Sequence, residues 1–330
     1  MTPMAASPLK VDVHMHLYPS VASGEWWKSG YEIFEYGPEP LDLEGVRFSD
    51  ASGTVDEALA AMAAAGFSHG VAVNLLSVEL FREEAMAMLP VDLTRAEQIE
   101  AVAAIDANMA DRFRAFNRWL VDTLASLPQL TPFAGVDPWA LSPRENVRHL
   151  RELAGRGARG VKLHPVAQRV SAADRRLWPV WQTCQELGLA LLAHSGTSKD
   201  GEGFAEPEAF VPLLRDFPDL TVVLAHLGGG SWRQTAQLAA AFPSQRLAFD
   251  LCEIVEWSFG AAPNAPTPKE LAALIQDVGP ERVLLGTDFP WYDLDRTVGL
   301  VLDLPLLAGE QKEAILGANA VRVLGLPVPV

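Results

Sequence analysis

Val11-Asp12-Val13-His14-Met15-His16 is the stretch whose reading decides the fold. Its leading residues alternate as a strand does, and it carries two histidines two positions apart. Side chains at i and i+2 of a strand share a face, so His14 and His16 project together from Cα atoms roughly 6.5–7 Å apart. Two imidazoles at that spacing can act as neighbouring ligands of one divalent metal. The pattern also fits a strand whose histidines are merely hydrogen-bonded. The choice depends on what the other strands end in.

Outward from this stretch, short apolar runs alternate with helical patterns along all 330 residues. Eight runs read as strands: residues 10–17, 70–76, 130–136, 160–164, 189–194, 221–226, 246–251 and 282–287. Several are nearly continuous in hydrophobicity, as expected of strands buried on both faces of a parallel sheet. Helix signals stand between them. Residues 56–65 are Ala-rich and stop at Gly66. Ser142-Pro143-Arg144-Glu145 is an N-cap, a proline at the first helical position and an acidic first turn. Residues 177–187 stop at Gly188, and Thr267-Pro268-Lys269-Glu270 resembles the Ser142 start. Eight β-then-α units predict an α/β chain folded as a (β/α)8 TIM barrel, with a doubly wound open sheet as the alternative. No internal repeat or low-complexity linker divides the chain, so one domain over residues 1–330 is expected.

Two connections exceed what a barrel needs. Residues 18–53 follow the first strand and contain Tyr18, Trp26, Trp27, Tyr31, Phe34 and Tyr36. Residues 77–128 follow the second strand and read as mainly helical. Connections of this length in a compact domain are usually lids or inserted elements, and in a barrel they rise from the catalytic face. The aromatic cluster reads in two ways: as walls of a substrate pocket on a lid jointed at Gly24, Gly30 and Gly37, or as a satellite core.

Composition narrows the partners. The chain is 49% hydrophobic with a net charge of −16, which disfavours nucleic acid and anionic membrane surfaces. No apolar run reaches the roughly 18 residues of a membrane span, and residues 1–8 lack the pattern of a signal peptide. A cytoplasmic protein with a small-molecule substrate is expected, with homo-oligomerisation left open. Cys184 and Cys252 lack metal-ligand or redox spacing and read as buried small hydrophobes.

Five of the seven histidines, His14, His16, His164, His194 and His226, fall at the ends of expected strands, and Asp288 follows the eighth. Polar residues at the C-terminal rim of a barrel read as catalytic. His69 and His149 fall elsewhere and read as surface residues.

These pieces together resemble the amidohydrolase superfamily, and within it the amidohydrolase-related group that includes aminocarboxymuconate-semialdehyde decarboxylase. The matching motifs are Val-Asp-Val-His-Met-His, Gly-Val-Lys-Leu-His-Pro, Leu-Ala-His-Ser-Gly, Val-Leu-Ala-His-Leu-Gly-Gly-Gly, Leu-Leu-Gly-Thr-Asp-Phe-Pro-Trp and the closing Ile315-Leu316-Gly317-Ala318-Asn319-Ala320. They span nearly the whole chain in the family's order. The resemblance implies one divalent ion, zinc first and manganese second, held by His14, His16, His194 and Asp288. It makes Asp288 and His226 the proton-handling catalytic residues. A metal so held lowers the pKa of a bound water towards about 7.

Lys162 stands where binuclear members carry a carboxylated lysine between two metals, and Val-Lys-Leu-His-Pro also resembles a stretch of dihydroorotases. The mononuclear reading is preferred, with Lys162 pairing to an anionic substrate. His164 shares its face and touches substrate or supports a ligand. Gly228-Gly229-Gly230 reads as room for backbone to pass close to the site, with a weak oxyanion role as the other option. Trp26, Trp27 and Trp291 are expected to wall a pocket for a flat, partly apolar substrate. Hydrolysis of an ester, lactone or amide-type bond is ranked first. Non-oxidative decarboxylation of a small unsaturated or aromatic acid is the alternative, with Arg47, Arg169 and Arg233 as candidate carboxylate partners outside any motif.

Overall fold

The computed structural model describes residues 9–36, 43, 45–198, 202–244 and 246–327, with residues 31–36 described by their backbone alone. The side chains of Tyr31, Phe34 and Tyr36, and Gly37 as a joint, lie outside the described residues. Eight parallel strands follow one another in chain order: β1 Val11–His16, β2 His69–Val73, β3 Leu130–Gly135, β4 Gly160–Leu163, β5 Ala190–Ala193, β6 Val222–Leu224, β7 Leu247–Asp250 and β8 Val283–Leu284. The sheet closes on itself where β1 meets the chain at and beyond β8. Val13 N–H donates to Leu285 O at 2.9 Å, and Asp288 N–H donates to His14 O at 2.9 Å. With helices between the strands, this is the expected (β/α)8 barrel.

The pleat sorts the strand residues into two sets. Val11, Val13, Val71, Val73, Phe133 and Leu192 belong to one buried cluster, closed at the bottom by Ala320 and Leu326. Met15, Leu17, Val161, Leu163, Leu191 and Ala193 belong to another, shared with helix residues such as Met62 and Trp181. The first set fills the barrel and the second packs the helices around it. Val13 and Met15 are two apart yet fall in opposite sets. The cause is a bulge: Asp12 pairs with Gly70 and Met15 with Ala72, so the step on β1 is one residue longer than on β2. Plain alternation from Val11 puts His14 and His16 outside the barrel, and the bulge turns both inward.

Local signals set the helices. The connection after β1 contains α1 (Val21–Tyr36) and α2 (Val55–Ala65). Thr54 and Glu57 form a capping box at the start of α2, and Gly66 ends it at φ 72°. The connection after β2 is α3 (Val78–Ala87) and α4 (Arg95–Leu124). Ser142 caps α5 (Pro143–Arg156) as expected, and Gly188 ends α6 (Trp178–Leu187) at φ 66°.

Three expectations are corrected. Gly24 and Gly30 are inside α1 rather than hinging it. A Cβ on Gly24 would lie 1.8 Å from Ser52 O, so this glycine lets the helix lie against the returning chain. His69 is the buried first residue of β2, its Nε2 2.7 Å from Thr131 Oγ1. His149 is buried on the core face of α5 beside Leu150 and Leu153. Both histidines were misplaced because a barrel helix or strand end buries polar residues that lie on its inner stripe. Among the described residues, no helix is long and apolar enough to cross a membrane.

Phe133 on β3 lies opposite Gly160 on β4, and a Cβ at Gly160 would come within 2.4 Å of the Phe133 ring. Gly160→Ala is therefore expected to destabilise the fold by about 1–3 kcal/mol, read by denaturant unfolding. Adding Phe133→Leu should recover part of that loss. An alanine that costs nothing would show that the ring does not fill this level of the barrel.

Candidate metal centre

The bulge in β1 brings His14 and His16 to the C-terminal mouth of the barrel, where β7 ends in Asp250. Asp250 Oδ2 lies 3.1 Å from His14 Nδ1. An acceptor there places the imidazole proton on Nδ1 and leaves the Nε2 lone pair facing inward, the usual orientation of a metal-ligating histidine. Asp250 Oδ1 meanwhile accepts the His226 backbone N–H at 2.8 Å and the Cys252 S–H at 2.9 Å.

Three donor atoms converge on the inner side of His14. His14 Nε2 lies 3.3 Å from His16 Nε2 and 3.5 Å from Asp288 Oδ1, and His16 Nε2 lies 3.2 Å from Asp288 Oδ1. Ligands about 2.0–2.1 Å from one ion and at tetrahedral angles stand about 3.3–3.4 Å apart. The observed triangle matches that spacing, so these residues fit a divalent metal. Burial, reinforced by Lys162, keeps His14 well below the usual imidazole range, and burial lowers His16 too. Both shifts favour the neutral imidazole that a metal ligand must be. Burial opposes ionisation of Asp288, but His14 and His16 outweigh it and hold the carboxylate below its usual range.

Asp12 fastens β1 behind this group. Its carboxylate accepts from His14 N–H at 3.0 Å, from Thr287 N–H at 3.1 Å and from Thr287 Oγ1 at 2.5 Å. Burial pushes the Asp12 carboxyl up to about 7, against the pull of these hydrogen bonds.

The other expected residues surround the triangle. Lys162 Nζ is 2.7 Å from His14 Nε2, and burial lowers its pKa. His164 and His194 stack with ring centroids 3.9 Å apart, and His194 meets His226 edge to face at 4.7 Å. Among the described residues, the donor groups within 4.8 Å of one another are His14–His16–Asp288, His14–His226–Cys252 and His226–Glu253–Asp288. His194 stands outside these groups but lines the same narrow cavity as His14, His16 and Asp288. That cavity is about 20 Å³, and Tyr18, Trp27 and Trp291 form part of its wall. A wider chamber of about 330 Å³ opens beyond His226 and Asp288, walled by Trp257, Trp291 and Tyr292.

Some residues fall elsewhere. Trp26 lines neither cavity; it is 54% exposed and stacks on Phe81 at 5.5 Å. Arg169 pairs with Glu83 at 2.7 Å, and Arg233 lies over Trp232. Neither they nor Arg47 are in the cavity walls, where Lys162 is the sole lysine or arginine among the described residues. Gly228 and Gly229 hold φ 90° and 48°. A Cβ on Gly229 would lie 3.2 Å from Ser195 O, which matches the close-approach reading.

Sequence reading passed over Asp250 and gave Cys252 a packing role alone. Asp250 shares the pleat of Ala248, which faces the barrel interior, and it ends β7 as the histidines end other strands. The rim rule applied to histidines would have found it. Cys252 is buried as expected, but its Sγ lies 3.0 Å from His14 Nδ1 and 3.1 Å from His226 Nδ1. Burial and Asp250 hold its thiol well above the usual range, so it donates a hydrogen bond rather than offering a thiolate.

With this geometry in hand, comparison with known proteins is decisive for the family. The amidohydrolase family model matches residues 11–326. The chain belongs to the amidohydrolase family. Among curated relatives, this amidohydrolase is 24% identical over 196 residues to 2-amino-3-carboxymuconate-6-semialdehyde decarboxylase of Dictyostelium discoideum, covering 52% of the chain and 54% of that protein. It is 32% identical over 77 residues to the dihydroorotase of Vibrio vulnificus, covering 20% of the chain and 22% of that protein. The matches thus span about a fifth to a half of the length of these relatives. Solved structures share the fold along nearly the whole chain. The 5-carboxyvanillate decarboxylase of Sphingomonas paucimobilis superposes with a TM-score of 0.64 at 19% identity, covering 97% of this chain and all of that one. The dihydroxybenzoic acid decarboxylase of Polaromonas sp. JS666, with bound manganese and the inhibitor 2-nitroresorcinol, superposes at 0.65 and 15% identity, covering 98% of each chain.

These neighbours correct the functional ranking. Hydrolysis was placed first because the ligand set suits an activated water. The curated decarboxylase relative and the decarboxylase structures favour the carboxy-lyase alternative instead. A divalent metal is consistent with both the donor triangle and the manganese in the Polaromonas structure.

Asp250→Asn tests the support of His14. An amide that keeps its oxygen on the His226 N–H presents NH₂ to His14 Nδ1 and drives the imidazole proton onto Nε2. Metal affinity should fall about 10- to 100-fold by competition with a chelator. Unchanged affinity would show that Asp250 does not set the tautomer.

Proposed function

We propose that this amidohydrolase is a metal-dependent, non-oxidative decarboxylase of a small aromatic or unsaturated carboxylic acid. The observation that carries the reading is the chamber beside the donor triangle, with aromatic walls, His226 on its edge and Lys162 in the adjoining cavity floor. His14, His16 and Asp288 would hold one divalent ion, with His194 as the fourth ligand. Zinc and manganese both suit imidazole and carboxylate donors. When bound, the ion supplies positive charge that fixes the oxygen atoms of an acidic substrate. Lys162, uncarboxylated, would add a second cationic group to the cavity wall.

The chain's own groups account for the remainder. Trp257, Trp291 and Tyr292 offer flat apolar faces to a ring or conjugated chain. His226 Nδ1 faces two acceptors, Cys252 O at 3.2 Å and Glu253 Oε2 at 3.3 Å. Its proton is thereby kept on Nδ1, leaving Nε2 as the nitrogen that exchanges a proton with substrate. In the reaction, His226 takes up a proton at Nε2 and gives it to the carbon that bears the carboxylate. The carbon–carboxylate bond then breaks, its electron pair returns to the conjugated system, and carbon dioxide leaves. One proton is taken up per turnover. Trp27 and Tyr18 shield the narrow side of the site from bulk water, which strengthens the electrostatic interactions within it.

His226→Ala should retain bound metal by elemental analysis while its turnover falls about 10²- to 10⁴-fold. The assay is carbon dioxide release from a panel of hydroxylated aromatic acids with zinc or manganese added. A metal-loaded enzyme that releases carbon dioxide from none of them would overturn the proposal.

A further inference from the structure

The chamber beyond His226 has a chemical bias that the metal corner does not explain. Among the described residues lining it, the carboxylates are Glu253 and Asp288, and neither lysine nor arginine is present. Asp288 belongs to the donor triangle. Glu253 does not, and its side chain is 21% exposed within the chamber wall. Its backbone is at φ 60°, ψ −56°, a conformation a residue with a side chain rarely adopts. The turn from Cys252 into the helix Ile254–Phe259 holds it there, with Trp257 N–H donating to Glu253 O at 2.9 Å. The strained turn directs the carboxylate back towards His226 and the chamber rather than out to solvent.

A carboxylate in a chamber wall accepts hydrogen bonds and repels anions. Lys162 lines the adjoining narrow cavity instead, where an acidic group is attracted. We propose that Glu253 is a specificity-determining residue. It accepts a hydrogen bond from a hydroxyl or amino group distal to the reacting carboxylate and rejects substrates with a second carboxylate at that position. The substrate class is thus a monocarboxylic acid with a polar donor on its far side. This rests on the carboxy-lyase reading only for where the first carboxylate lies.

The test is binding, which does not depend on turnover. Calorimetry on the metal-loaded chain compares hydroxybenzoates with benzenedicarboxylates in which the second carboxylate replaces the hydroxyl. The wild-type chain should bind the best hydroxybenzoate at least about tenfold more tightly than its dicarboxylate partner, the scale of one hydrogen bond to a charged group. Glu253→Gln should shrink that ratio to about threefold or less, and Glu253→Asp should keep more of it. A wild-type chain that binds the dicarboxylate as tightly overturns the proposal, as does a folded Gln variant with the ratio unchanged. Where the Gln variant does not fold, the wild-type comparison decides alone. Discrimination in binding without carbon dioxide release from any acid would overturn the carboxy-lyase reading and leave the assignment of Glu253 standing.

Discussion

The hydrogen bond between Asp250 and His14 is the contact on which the site depends. It joins the end of β7 to β1 across the barrel mouth at 3.1 Å. One carboxylate oxygen sets the His14 tautomer, and the other accepts the backbone of His226 and the thiol of Cys252. The donor triangle and His226 are therefore held by the same side chain. Gly286 is part of this arrangement. A Cβ there would lie 3.1 Å from His14 Cβ and 3.3 Å from Asp250 Cγ, tighter than ordinary contact.

The chain accepts backbone strain to place these groups. His226, Leu227, Glu253 and Asp288 all hold positive φ, between 48° and 60°. Each such conformation costs on the order of 1–3 kcal/mol and persists only where the surroundings over-determine it. Here the surroundings are rigid: all four residues lie two to four positions beyond the end of a buried strand. All four lie where β6, β7 and β8 hand over to their loops. This is where a barrel supports binding and catalysis, and where regular geometry would aim side chains elsewhere.

Hydrolysis and decarboxylation were hard to separate because they share this constellation. A neutral imidazole pair and a carboxylate suit a metal in either chemistry, and an acid–base histidine serves both. The wall of the wider chamber is assembled from the connections after β5, β6, β7 and β8, whose residues are tens of positions apart in the chain. Its aromatic faces and its acidic edge become a pattern only once those loops meet.

The sequence by itself determined the barrel and the identity of most rim residues. Both follow from local rules: apolar runs buried on two faces, capped helices between them, and polar residues recurring at strand ends. All eight strands, the Ser142 and Thr267 helix starts and the placing of His14, His16, Lys162, His194, His226 and Asp288 at one rim were legible in this way. Only the tertiary structure decided the rest. Pleat parity from Val11 would have turned His14 and His16 outward, and the bulge that reverses it exists only in the pairing of β1 with β2. Trp27 reached the cavity and Trp26 did not, because neighbours on a helix point to different sides. Asp250 and Cys252 were readable as residues but not as partners of His14. The separation that matters is about 3 Å in space and more than 230 residues in sequence, and only closure of the barrel joins β1 to β7 through β8.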